Sequence, residues 1–262
     1  MARGHLAFRQ AGTGAAVEVA YAESPLRLLT PRNHGTAAWA YTSTLGGGLV
    51  DGDRLELDIT VGAGARAFVS TQGPTRVFRS ATGCTSRTLA HVAEGGTLVL
   101  APDPTACFGG ARYTQAAEVT LAPGASLALW DVLSAGRERW GFTRFSSTLR
   151  VPPYLDETWL LDPAHGALDA RMGRFGAIGT LLLVGPVWAA TAHAIRSAVD
   201  TAPASPGAPM VESTSPLRDG ALVLRLAALS VQQLMLRLRH HLAVLPSLLG
   251  DDPWRLDASV AA

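Results

Sequence analysis

The sequence predicts a mainly β fold of stacked antiparallel sheets, a sandwich or a solenoid-like roll, with about two α-helices, one near the C-terminus. Three observations carry this. Residues 54–61 alternate strictly, with Leu55, Leu57, Ile59 and Val61 set against Arg54, Glu56, Asp58 and Thr60, the period of a strand with one buried face and one polar face. A pattern of strand, Gly-bearing tight turn, small residue and second strand recurs at 57–69, 90–100 and 118–130. Its repeat of about 30 residues reads as hairpin-like units in series. Only 187–199 and 226–245 have helical character.

In chain order, 6–9, 15–22 and 26–29 read as short strands, punctuated by Pro25, Pro31 and Asn33. The run Gly46-Gly47-Gly48 leads into the turn Asp51-Gly52-Asp53, where glycine removes the steric bar on positive φ. Strands follow at 54–61 and 66–69, and again at 132–137, 142–151 and 154–161. Residues 180–184 form a buried strand, and Pro186 suits the first turn of a helix over 187–199. Four prolines among small residues make about 201–216 a flexible loop. Strand 222–225 precedes the helix over 226–245, where Ala228, Val231, Met235, Leu238 and Leu242 make one apolar stripe. The tail from about 251 is polar and reads as frayed. Residues 1–262 read as a single β-rich domain.

Composition narrows the function. The chain has 262 residues, 48% hydrophobic and 16% charged, with a net charge of +1 and a mean hydropathy of +0.19. Either partners cover much of an apolar surface or the core is large and Ala-rich. No basic run exists, which argues against nucleic acid. Cys84 and Cys107 lie 23 apart with no CxxC and read as small buried residues of a reducing compartment. There is no signal-peptide core. The longest uncharged stretch, between Arg174 and Arg196, is broken by Gly176, Gly179, Gly185, Pro186 and His193, which argues against a membrane span. The expected location is the cytoplasm.

No catalytic constellation is legible: no GxSxG, HExxH, Walker loop or dinucleotide fingerprint. The glycine run precedes a strand, so the helix N-terminus that would hold phosphate is missing. Adjacent His240 and His241 point about 100° apart on a helix and read as surface or helix-end residues. Three acids stand out. Asp53 sits in the Gly-rich turn, Asp131 follows Trp130 at a strand end, and Glu157 lies among Leu155, Trp159 and Leu161. A carboxylate in apolar surroundings needs a partner or water. One solution is pairing with Arg76, Arg79 or Arg137. The other is a wet passage whose carboxylates hold a hydrated divalent cation weakly and release it.

Gly52-Asp53, the segment Gly73-Pro74-Thr75-Arg76-Val77-Phe78-Arg79-Ser80, Pro123-Gly124-Ala125, and Trp130-Asp131-Val132-Leu133 with Gly136-Arg137 together resemble the urease accessory protein UreD (UreH) family. The resemblance implies a β-rich, non-enzymatic chaperone that docks on apo-urease and recruits UreF and the GTPase UreG. In that assembly nickel reaches the urease active site, where a lysine must also be carbamylated. The resemblance further implies no tightly bound cofactor, and an internal passage for transient Ni2+. Asp53, Asp131 and Glu157 would meet the ion there, with Thr75 as polar lining. The chain departs from the family pattern at four places. Ser43-Thr44-Leu45 stands for His-Pro-Pro, Pro102-Asp103 for Pro-Gln, Phe142 for a glutamate, and Asp252-Pro253-Trp254 for Pro-Arg-x-Trp. These bear on the ion's route more than on the scaffold. The rival readings are a hydrolase with Asp53 or Glu157 as general base, which lacks a visible nucleophile or metal, and a ligand-binding β module unrelated to urease.

Overall fold

The computed structural model describes residues 1–32, 35–201 and 204–254. Asn33, expected to punctuate an early strand, lies outside them, as does the tail from 255. The strands of the first half are β1 (Ala2–Ala11), β2 (Gly14–Ala22), β3 (Leu26–Leu29), β4 (Ala38–Thr44), β5 (Arg54–Val61), β6 (Arg66–Thr71), β7 (Thr75–Val77) and β8 (Cys84–Val92). Next come β9 (Thr97–Ala101), β10 (Thr105–Cys107), β11 (Arg112–Leu121), β12 (Ser126–Ser134), β13 (Arg144–Val151) and β14 (Leu155–Leu161). The remainder is α1 (Leu168–Met172), β15 (Ala177–Val184), α2 (Ala189–Asp200), β16 (Met210–Pro216), β17 (Leu222–Ala228), α3 (Val231–His241) and α4 (Leu245–Leu249).

The fold is mainly β, built as two stacked sheets in a solenoid-like roll. The first sheet runs β14-β13-β11-β8-β5-β1-β2, and the second runs β16-β17-β15-β12-β9-β6-β4-β3. One expectation needs correction: the centres of both sheets are parallel. β5, β8, β11 and β13 pair in parallel in the first sheet, and β4, β6, β9 and β12 do so in the second. The Gly-bearing turns are not hairpins. Each carries the chain from one sheet to the other, so the next coil lands on the last one with the same polarity. Gly64, Gly95 and Gly124 have φ of +66°, +64° and +70°, a conformation that favours glycine. The turns also bond to one another, through Gly64 N to Glu94 O at 3.0 Å and Ser126 N to Gly96 O at 2.8 Å. A sheet-changing turn and a hairpin turn share the same glycine and the same period-two flanks, which is why the sequence could not separate them. Antiparallel pairing is confined to the margins, as in β1–β2, β13–β14 and β15–β17.

Helices α2, α3 and α4 cover the outer face of the second sheet. Trp188, Ile195, Leu234, Leu238, Leu242, Leu245 and Leu249 pack there against Trp39, Phe68, Trp130, Leu181 and Leu224. The C-terminal helix starts later than expected, because Leu226–Ala228 complete β17 and Ser230 caps α3, its Oγ accepting from Gln233 N at 3.2 Å. Its buried stripe is Leu234, Leu238 and Leu242, while Val231 and Met235 are only partly buried. The expected loop over 201–216 is also corrected. Met210–Pro216 is an edge strand antiparallel to β17, and Pro216 at its end fits an edge. Of the tail, Trp254 packs on the helix-covered core, with Arg239 over its ring at 5.6 Å.

Candidate functional site: a polar belt between the sheets

Strands buried on both faces read as continuous apolar runs, and β12 and β15 nearly do. On β12 the residues facing the first sheet are Leu127, Leu129, Asp131 and Leu133, so an acid occupies a leucine position. Leu127 and Leu129 belong to one apolar cluster between the sheets and Leu133 to another. Two further strands repeat that division. On β13, Ser147 separates Leu149 from Phe145, and on β15, Thr180 separates Leu182 from Ile178. A layer of polar side chains therefore splits the interior of the roll in two.

Strand register aligns this layer. In the second sheet Asp131 pairs with Thr180 and Thr180 with Arg225. In the first, Ser86 pairs with Gln115 and Gln115 with Ser147. Gln115, Asp131 and Ser147 are successively 16 residues apart, half a coil each, so the chain crosses between sheets and returns to the same level.

Asp131 is the hub. Ser147 Oγ donates to Asp131 Oδ2 at 2.5 Å, and Gln115 Nε2 donates to Oδ1 and Oδ2 at 2.9 and 2.8 Å. Gln115 Nε2 also reaches Ser147 Oγ at 3.0 Å. Burial pushes the Asp131 carboxyl above its usual range. The Ser147 and Gln115 hydrogen bonds oppose that, and the Glu157 charge adds to it. Nearby, Ser86 Oγ and Tyr113 Oη share a hydrogen bond of 2.5 Å.

Two cavities flank the hub. The larger, ≈ 460 Å³, opens between the sheets and is lined by Thr42, Thr75, Arg76, Gln115, Asp131 and Ser147 among others. Its rim explains Gly48. A Cβ on Gly48 would come within 2.6 Å of Arg76 O, so glycine lets Leu49 lie against β7, its N–H donating to Arg76 O at 2.8 Å. The smaller cavity, ≈ 30 Å³, is lined by Asp131, Ser147, Glu157, Trp159, Gly179 and Thr180. Asp131, Ser147 and Leu149 line both. Glu157 Oε2 accepts from Arg225 Nη2 at 2.5 Å.

Of the four residues singled out from sequence, three come together on these cavities: Thr75 and Asp131 on the larger, Asp131 and Glu157 on the smaller. Asp53 lines neither. Its carboxylate accepts from Val50 N at 2.9 Å and holds the 50–53 turn. The expected arginine partners are also corrected, since Glu157 pairs with Arg225 and Asp131 takes neutral donors. Gln115, Ser147, Thr180 and Arg225 were not foreseen. The 16-residue spacing was the available signal, and it becomes legible only once the turns are known to change sheets. Of the departures from the family pattern, Ser43, Thr44 and Pro102 line the larger cavity, whereas Phe142 is buried against Trp140 and Phe145.

His241, expected at the surface or a helix end, closes α3 with its side chain 5% exposed, and its Nε2 lies 2.6 Å from Glu212 Oε1. Arg237 Nη2 donates to Glu212 Oε2 at 2.7 Å. Burial would raise the Glu212 carboxyl, but the hydrogen bonds from His241 and Arg237 outweigh it and hold it at about 2. Cys84 and Cys107 are buried free thiols, and burial pushes Cys107 up to about 12. Among the described residues no three His, Cys, Asp or Glu side chains converge as a metal cluster. No helix among them is long and apolar enough to cross a membrane.

Comparison with known proteins gives concordant matches. The family model described as UreD urease accessory protein matches residues 1–257. The chain is 47% identical over 260 residues to a urease accessory protein UreD of Sorangium cellulosum, covering 96% of this chain and 82% of that one. A urease accessory protein UreD of Anaeromyxobacter is 38% identical, covering 91% and 84%. A urease accessory protein D of rice (Oryza sativa subsp. indica) is 30% identical, covering 91% and 90%.

Proposed function

The chain belongs to the UreD urease accessory protein family, and on that premise we propose that it is a non-enzymatic chaperone of urease maturation. It docks on apo-urease, recruits UreF and the GTPase UreG, and lets nickel pass through the interior of its roll. The cytoplasm is the compartment this role requires. Asp131 carries the reading, as a carboxylate at a leucine position that lines both cavities.

The cavity volumes support this reading. At about 30 Å³ per water, an ion with six waters occupies roughly 180 Å³, so the ≈ 460 Å³ cavity admits it with its shell. The ≈ 30 Å³ cavity beyond Asp131 has room for about one water. There the ion exchanges shell waters for oxygens of Asp131, Ser147, Thr180 and Glu157, or the walls part. Oxygen ligands bind a divalent cation more weakly than a thiolate or imidazole cage would, which suits passage. The hydrolase reading has little support, because Asp53 is committed to a turn and Glu157 to Arg225. The test is to express the urease subunits with UreF and UreG, with and without this protein, and measure urease nickel and activity. Both should collapse in its absence; unchanged loading would refute the chaperone reading.

A further inference from the structure

The small cavity holds two acids and one counter-charge that reaches it from outside. Asp131 and Glu157 both line it. Arg225 does not, but its guanidinium is bonded to Glu157. That ion pair also joins β14, the edge strand of the first sheet, to β17 of the second. It spans the two sheets at the side of the roll where β14 ends the first one. Arg225 is the more exposed partner, with 36% of its side chain accessible against 18% for Glu157. Its other terminal nitrogen, Nη1, already donates to Ser215 Oγ at 3.4 Å.

Two carboxylates facing one small space repel each other and would either take up a proton or retain a divalent cation. A guanidinium fixed on one of them removes much of that pull, and it stays protonated at any working pH. We infer that Arg225 is the positioning residue that sets how tightly the passage holds its ion. It neutralises Glu157 when the cavity is empty, gives way towards Ser215 when a divalent cation arrives, and competes for Glu157 so that the cation leaves. This rests on the passage proposed above.

The experiment titrates purified protein with NiCl2 and, in parallel, measures urease nickel loading in the co-expression system. Arg225→Met should tighten nickel binding by roughly ten-fold or more, because it removes a unit charge next to the site, and should lower urease loading. Arg225→Lys, which keeps a cation there, should stay close to the parent protein in both. Adding Glu157→Gln to Arg225→Met should return nickel binding to a weak level. A purely structural role would lower thermal stability and loading together and leave nickel affinity unchanged. That result overturns the inference, as does equal tightening by the Lys variant. Asp131→Asn separates the two levels. If it leaves loading intact, the passage itself fails; if it blocks loading while Arg225→Met leaves nickel affinity unaltered, only the role of Arg225 fails.

Discussion

The two faces of the second sheet solve opposite problems with the same strands. Its outer face, under α2, α3 and α4, is one continuous apolar cluster of Leu, Ile, Val, Ala and Trp. Its inner face is split by Asp131 and Thr180 into two apolar clusters with cavities at the seam. On β12 the division is residue by residue, with Trp130 and Val132 outward and Asp131 inward. A dry face holds the fold through close packing, where each lost methylene is felt. The inner face gives up that density for the polar-lined cavities that the proposed function assigns to the ion. Substitutions on the outer face should therefore cost stability, and substitutions on the inner face should cost nickel delivery.

That contrast can be broken at graded points. The largest stability effect belongs to the outer face. Leu238→Ala, at a leucine 1% exposed, should destabilise by about 3 kcal/mol in denaturant unfolding, and nickel affinity of the folded fraction should not change. Next is the anchor of β16 on α3. The Glu212 carboxyl is held at about 2, below its ordinary 4.5, so its stabilisation is present above 4.5 and lost as pH falls towards 2. Glu212→Gln should cost about 2 kcal/mol at pH 7, allowing for screening at the partly exposed Arg237. The difference from the parent protein should close on acidification; a constant gap from pH 7 to pH 3 would contradict this.

On the inner face the expected stability effects are smaller. Asp131 is raised above 3.8, so the native state binds its proton more tightly than the unfolded chain, and its contribution declines as pH rises past 3.8. Asp131→Asn should shift stability by only about 1 kcal/mol, with the balance moving in favour of Asn as pH increases. The smallest effect belongs to Asp53→Ala. The loss of one exposed turn hydrogen bond should cost about 0.5 kcal/mol and leave urease nickel loading unchanged, because Asp53 lines neither cavity.

Much of this architecture was legible in the sequence. The alternation in 54–61 marks a strand with one buried face, and the repeat of Gly-bearing turns marks a periodic roll. The direction of pairing was hidden, because Gly64, Gly95 and Gly124 look the same whether the chain doubles back or crosses over. The same ambiguity hid half of the belt. Asp131 and Glu157 stand out as charges among apolar neighbours, but Gln115 and Ser147 sit in strands where polar residues are common, and only the crossover brings them to Asp131. Arg225 closed the short strand expected over 222–225, but nothing in that strand showed its neighbour, and only the pairing of β17 with β15 sets Arg225 opposite Thr180. Glu212 fell in a stretch read as loop, so its pairing with His241 could not be anticipated.

The most direct measurement of the central claim is the nickel content of urease matured with the Asp131→Asn protein, at matched soluble levels of the accessory proteins. The belt account predicts a folded Asp131→Asn chain that still joins the assembly while urease nickel and activity fall severalfold below the parent level. Urease fully loaded with nickel by the Asp131→Asn protein would contradict it, and would leave the roll as a scaffold whose interior carries nothing.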